Sequence, residues 1–223
     1  MSGNKRINLR PAAIFDLDGT LIPHTSAEKT FSFYLIRSGG LNVLNLLQMV
    51  KAVWESKGNF HALARTNKNY LKNKSVTVLN DIARHYFEPR IDTMVFPEMR
   101  KVIEHHRRAG DLLLLLTGTL DLIAACFVRY LKFDGYRAAT LEIKDGKYTG
   151  KLIGILPYGI GKLEVLSSMK RQFHFDRDLT YYYANVYSDR YVMNAVENPV
   201  AVNPDRKLRL YAKRIGWKVL DVA

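Results

Sequence analysis

Two hydrophobic patterns alternate along this chain. Short continuous apolar runs, at Ala12 to Phe15, Leu112 to Leu116, Leu179 to Ala184 and Pro199 to Val202, are too brief for helices and sit among turn residues. They predict strands, the central ones buried on both faces. Between them apolar residues recur at helical spacing: a helix through Met99 to Arg108 ends at Gly110, others open near Asp121 and Leu163, and a helix rich in Arg and Lys precedes a last short strand at Trp217 to Leu220. Tyr136 to Ile143 and Tyr148 to Ile153 flank the turn-rich Lys144-Asp145-Gly146-Lys147 and predict a hairpin. Strands alternating with helices imply an open parallel α/β sheet, with functional residues at the carboxyl ends of its strands.

Pro23 to Phe96 reads differently, because it contains helical spacing and no convincing strand. Phe31, Tyr34 and Leu35 share one face of a helix stopped by Gly39-Gly40. Val43, Leu46, Leu47, Val50, Val53 and Trp54 form a second stripe, read as core. Further helices are expected over His61 to Lys72 and Val76 to Phe87. The section is a helical insertion.

Composition narrows the picture. A chain of 223 residues, 48% hydrophobic and 25% charged, can bury a full core. Its one cysteine, Cys126, rules out an internal disulfide framework, fits a reducing cytoplasm, and on an apolar helical face reads as an inert core thiol. A net charge of +13 favours anionic partners. No nucleic-acid-binding signature accompanies it, so nucleic acid is not expected, whereas the basic residues beyond the Val43 to Trp54 stripe leave room for peripheral contact with an acidic membrane. Asn42, Asn45, Gln48 and Lys51 interrupt that stripe well below spanning length, so no transmembrane segment is expected, and Met1 to Arg10 has no apolar signal-peptide region.

The chemistry gathers at the predicted strand ends. Asp16 and Asp18 follow the first strand and project the same way, since side-chain direction repeats every second residue of an extended chain. Like charges so close call for a hard cation such as Mg²⁺, which would also recruit a phosphate. Gly19 allows a sharp turn and Thr20 adds a hydroxyl. Thr117-Gly118-Thr119 stands at the mouth of the second strand as a phosphate cradle, Lys162 at a glycine-loosened helix start can reach a phosphate as a point charge, and Asn185 and Asp189 follow the strand of tyrosines. Each alone has a bland explanation, as a turn, a cap or a surface lysine. Their convergence on one end of one sheet is what carries weight.

In these residues the chain resembles the haloacid dehalogenase (HAD) superfamily, in its phosphoserine-phosphatase-like branch. Phe15-Asp16-Leu17-Asp18-Gly19-Thr20 is similar to the first family motif, Leu116-Thr117-Gly118-Thr119 to the second, Gly161-Lys162 to the third and Tyr183 to Asp189 to a changed fourth. The resemblance implies a Rossmann-like core over 1–22 and 97–223, with a helical cap over 23–96. It implies a Mg²⁺-dependent phosphatase acting on a small phosphorylated metabolite: Asp16 the nucleophile that forms an aspartyl-phosphate, Asp18 the acid and base, Thr117 and Lys162 holding phosphoryl oxygens, and Thr20, Gly118 and Thr119 around the substrate. In the fourth motif two registers are open. One starts at Ser188-Asp189; the other, preferred because it needs no gap before Pro199, puts the metal-binding aspartate at Asn185 and the second acid at Asp189. The metal set is then Asp16, Asp18 through its carbonyl, Asn185 and Asp189. An uncharged Asn185 should weaken the metal site, and the alternative reading is a catalytically weak or inactive relative that binds a phosphate ligand. Thr25 stands where phosphoserine phosphatases carry a glutamate, so phosphoserine is not favoured. His24, Thr25 and Arg65 are candidates for the cap side of the pocket, and the remaining histidines, including His105 and His106, are read as surface groups.

Overall fold

The computed structural model describes residues 9–24, 26–55 and 68–223. The elements are β1 (Ala12–Phe15), α1 (Ala27–Arg37), α2 (Val43–Glu55), α3 (Val76–Phe87), α4 (Ile91–Met94), α5 (Pro97–Ala109), β2 (Leu112–Leu120), α6 (Asp121–Tyr130), β3 (Gly135–Lys144), β4 (Lys147–Ile153), α7 (Ile160–Phe173), β5 (Tyr181–Ala184), α8 (Arg190–Met193), β6 (Asn198–Val202), α9 (Arg206–Ile215) and β7 (Lys218–Leu220). The seven strands form one sheet in the order β4-β3-β2-β1-β5-β6-β7, parallel except for the β3-β4 hairpin. The fold is α/β, a Rossmann-like core with an inserted helical cap.

Alternation explains why the central strands read as unbroken apolar runs. Ala13, Phe15, Leu113, Leu115 and Tyr183 face a core shared with α5, α6 and the insertion, while Ala12, Ile14, Leu114, Leu116 and Tyr182 face a second core under α7, α8 and α9. Both faces of the sheet are therefore dry, and its polar business is confined to the strand ends. Two elements differ from the expected bounds. β2 runs on through Thr117-Gly118-Thr119 to Leu120, and β5 begins only at Tyr181, because Arg177–Leu179 forms a 3-10 turn started by the Asp176 side chain.

Among the described residues of the insertion no ladder strand occurs. Its two connections to the sheet are clasped together where the Phe96 N–H donates to the Leu21 carbonyl (2.9 Å), and the hairpin holds its far side through Asn73 N to Tyr148 O (2.8 Å) and Tyr148 N to Lys74 O (2.9 Å). The helix expected over His61 to Lys72 falls largely on 56–67, outside the described residues, and Asn69–Leu71 at its far end forms a 3-10 turn.

Two expectations are overturned. The Val43 to Trp54 stripe is not core: Val43, Leu47, Val50 and Trp54 are exposed, Leu46 is half-buried, and the side chain of Val53 lies outside the described residues. The inward face carries Asn45 instead, whose amide donates to the Lys72 carbonyl (3.4 Å) and whose carbonyl accepts from Asn42 N (3.2 Å). Periodicity marks an apolar face but does not say which way it points. His106 is also not a surface group. It is 2% exposed on α5, with Nδ1 2.7 Å from Asp111 Oδ2 and Nε2 2.7 Å from the Tyr183 hydroxyl.

Candidate active site

The ends of β1, β2 and β5 and the start of α7 bring the candidate residues together. Backbone pairing sets the first step: Asp16 N donates to Tyr183 O (2.9 Å), fixing the end of β1 against β5. The chain then tightens into a turn, with Thr20, Leu21 and Ile22 N–H groups all directed at Leu17 O. Gly19 makes this turn at φ +78°, and a Cβ there would lie 2.0 Å from Asn185 Nδ2, so no larger residue fits.

Lys162 is the centre of the charge arrangement. It is buried in the first turn of α7, with Nζ 3.0 Å from Asp16 Oδ1 and 2.6 Å from Asp189 Oδ2. Burial opposes its charge, and the two carboxylates outweigh burial and hold it well above the ordinary lysine value. Gly161 lets this helix start sit on the preceding loop, since a Cβ there would stand 2.4 Å from Leu156 O. Burial pushes Asp189 upward, partly offset by Lys162.

Asp18 is held from two sides. Thr119 Oγ1 donates to its Oδ2 (2.5 Å) and Ala27 N, at the start of α1, donates to its Oδ1 (2.7 Å). Its pKa is nevertheless pushed up to about 6, chiefly by burial, with Asp16 and Glu28 adding to the rise. Thr119 N in turn donates to Thr117 Oγ1 (3.1 Å), so the two hydroxyls are ordered in sequence along one strand end. Gly118 is half-exposed beside Pro157 O.

Asn185 directly follows β5. Its Oδ1 accepts from Thr20 Oγ1 (3.4 Å) and its Nδ2 faces His24 Nδ1 (3.3 Å). Asp205 fastens this loop: its N–H donates to Asn185 O (2.8 Å), its Oδ2 accepts from Tyr187 N (2.9 Å), and its Oδ1 caps α9. Sequence reasoning misses Asp205, although an aspartate after proline and before a helix is an N-cap signal. It also misses the Ala27 N–H, which no side-chain motif reveals. Thr25 and Arg65 lie outside the described residues. A cavity of about 460 Å³ between α3, α6 and the hairpin is lined by none of the candidate site residues.

The charges at this site suit a cation. Two carboxylates, Asp16 and Asp189, face a single lysine and a third, Asp18, adds its charge beside Asp16, an excess of negative charge that burial makes costly and that a divalent ion would offset. Among the described residues no three His, Cys, Asp or Glu side chains are grouped to hold an ion by themselves. The fit therefore depends on neutral oxygens as well, and Asn185 Oδ1, beside the Asp18 turn, is one of them.

A family model described as haloacid dehalogenase-like hydrolase matches residues 13–194. The chain is 27% identical over 226 residues to phosphoserine phosphatase SerB1 of Mycobacterium tuberculosis, covering 96% of this chain and 72% of that protein. It is 28% identical over 221 residues to a histidinol-phosphatase of Neisseria meningitidis, covering 96% and 99%. Among solved structures, a Bordetella pertussis protein of unknown function superposes with TM-score 0.82 at 24% identity, over 96% of this chain and 99% of that one. A phosphoserine phosphatase captured as a phospho-aspartyl intermediate analogue superposes with TM-score 0.60 at 17% identity, over 96% and 93%. With four-fifths of its length inside the family model, the chain belongs to the haloacid dehalogenase-like hydrolases.

Proposed function

We propose that this hydrolase is a Mg²⁺-dependent phosphatase that cleaves small phosphomonoesters through an aspartyl-phosphate on Asp16. The observation that carries the reading is the buried Lys162, held between Asp16 and Asp189, beside an Asp18 whose carboxyl is poised near pH 6. An Asp16 oxygen attacks phosphorus and the bond to the leaving oxygen breaks, with Asp18 giving that oxygen its proton. Asp18, now a carboxylate, takes a proton from the water that attacks the phosphorylated Asp16, releasing phosphate. Lys162 orients Asp16, and with Thr117 it offsets charge on the phosphoryl oxygens. Thr119 and Ala27 N hold Asp18 at its station, while Thr20 and Gly118 border the substrate. Mg²⁺, held by Asp16, the Asp18 carbonyl and Asn185, would draw in the phosphate and offset its charge.

Relatives named for phosphoserine and for histidinol phosphate support a phosphomonoester of a small metabolite. They do not favour the catalytically silent alternative. The same reading puts the domain boundaries at 1–22 with 97–223 and at 23–96, consistent with the clasp between Phe96 and Leu21. We place the protein in the cytoplasm, which its lone cysteine, Cys126, buried and in no disulfide, accommodates. Phosphate release from an aryl phosphate with Mg²⁺ tests the proposal, together with intact mass after rapid quench. The parent should turn over and carry a phosphoryl adduct, and an Asp16→Asn protein as active as the parent would overturn the assignment.

A further inference from the structure

The outward face of α2 is the feature that the catalytic reading leaves unexplained. Val43, Leu47, Val50 and Trp54 recur at intervals of four, three and four residues and so line one stripe of the helix. Their side chains are 73%, 63%, 65% and 82% exposed, with Leu44 at 67% beside them. Lys51 is exposed on the same side. Large apolar residues exposed singly are ordinary, whereas five on one face of one helix form a patch of the kind that marks an interaction surface.

The orientation of the helix is fixed rather than incidental. Asn45 is 4% exposed on the opposite side, and its amide is bonded both to Asn42 and to the Lys72 carbonyl. Rolling the stripe inward would break those bonds and expose the residue that makes them.

Charge selects the occupant. From Glu28 to Lys74 the chain carries eight lysines and arginines against two acids, Glu28 and Glu55; Lys68 is buried against Glu28 (2.9 Å), which leaves seven against one, within a chain of net charge +13. A second copy of the chain would bring the same excess and be repelled. An anionic bilayer accepts both properties at once: aliphatic side chains enter the acyl boundary, an indole suits the headgroup layer, and the basic residues meet the lipid charge. No helix among the described residues is long and apolar enough to cross a membrane, so the contact is one of lying on the surface. We propose that the insertion docks this protein onto anionic lipid bilayers through the Val43, Leu44, Leu47, Val50 and Trp54 face of α2. Docking of this kind does not depend on phosphatase activity.

The test is flotation of the whole chain with vesicles of phosphatidylcholine, with and without about one-third phosphatidylglycerol, across a salt series. Binding should require the anionic lipid, weaken as salt rises, and shift tryptophan emission to the blue in the parent but not in Trp54→Phe. Leu47→Ser and Leu44→Ser should each lower the partition coefficient about tenfold, the order expected for removing one buried leucine, with melting temperature and phosphate release unchanged. Three results would overturn the proposal: no binding at low salt; equal binding of parent and serine variants, which would leave basic charge alone as the cause; or a dimer in sedimentation that Leu47→Ser dissociates, which would make the occupant a second copy.

Discussion

Replacing Thr119 by valine removes one atom's worth of chemistry from the site and almost none of its volume. The hydroxyl lost is the donor 2.5 Å from Asp18 Oδ2, in a position only 4% exposed. That bond stabilises the carboxylate form, and it is one of the two hydrogen bonds that restrain Asp18 against a burial effect which still leaves its pKa at about 6. A hydrogen bond to a charged group is worth about 1.5 to 3 kcal/mol, which corresponds to about one to two pKa units. Asp18 in the variant should therefore titrate about one to two units higher. In the proposed mechanism the first chemical step needs protonated Asp18, so kcat/KM, which falls as pH rises through the Asp18 pKa, should keep its descending limb to higher pH in the variant. The second step needs the carboxylate as base, so kcat at pH 6 should drop, by about fivefold for a one-unit shift and about fiftyfold for two. The assay is phosphate release from an aryl phosphate across pH at saturating Mg²⁺, with Thr119→Ser as the control that keeps a donor. Superimposable pH profiles for the valine variant and the parent would refute the claim that Thr119 sets the protonation of Asp18, as would a serine variant that moves as far as the valine one.

Four further outcomes are expected. Asp18→Asn should raise the melting temperature at pH 7 in chelator, because a carboxyl whose folded pKa lies above its unfolded value costs stability above that pKa; the gain should shrink as pH falls from about 6 toward 3.8, and melts at several pH values measure it. Asn185→Asp should tighten Mg²⁺ binding by about tenfold or more in calorimetry, since a hard cation is held largely by anionic oxygens; unchanged affinity would remove Asn185 from the metal site. Gly19→Ala should abolish activity, because it meets Asn185 Nδ2 at 2.0 Å and strains a φ of +78°, and circular dichroism should still show a folded chain. His106, lowered by burial despite Asp111, contributes stability that is full above pH 6.5 and is lost as pH falls from there toward its folded pKa; denaturant melts of the parent and His106→Phe at pH 5 and 7.5 should show the variant losing the smaller share on acidification.

The parts of this protein that can be read from its sequence are those where a local pattern has one physical meaning. Four leucines in a row after Asp111-Leu112, with helices on either side, can be satisfied only by a strand covered on both faces, and the residues at its end then have to emerge at the sheet's mouth. Asp16, Asp18, Thr117 and Lys162 are legible for the same reason: each is polar, and each ends or begins an element whose direction is fixed by the sheet. His106 is not legible, because its partners Asp111 and Tyr183 stand 5 and 77 residues away and meet it only when α5 packs across β1 and β5. A buried histidine announces itself through the residues opposite it, and one chain shows those only after folding. The α2 stripe misleads for a different reason. A hydrophobic face states that contact with water is unfavourable and leaves the covering surface unnamed; core is the default reading because most such faces are buried within their own chain. Here two asparagines and a backbone carbonyl hold the inward side in place of the apolar residues, which single-sequence periodicity cannot anticipate. The same reversal is why the stripe bears on function: an apolar face that the fold turns outward by specific hydrogen bonds needs a partner outside the chain, and the charge around it narrows what that partner can be.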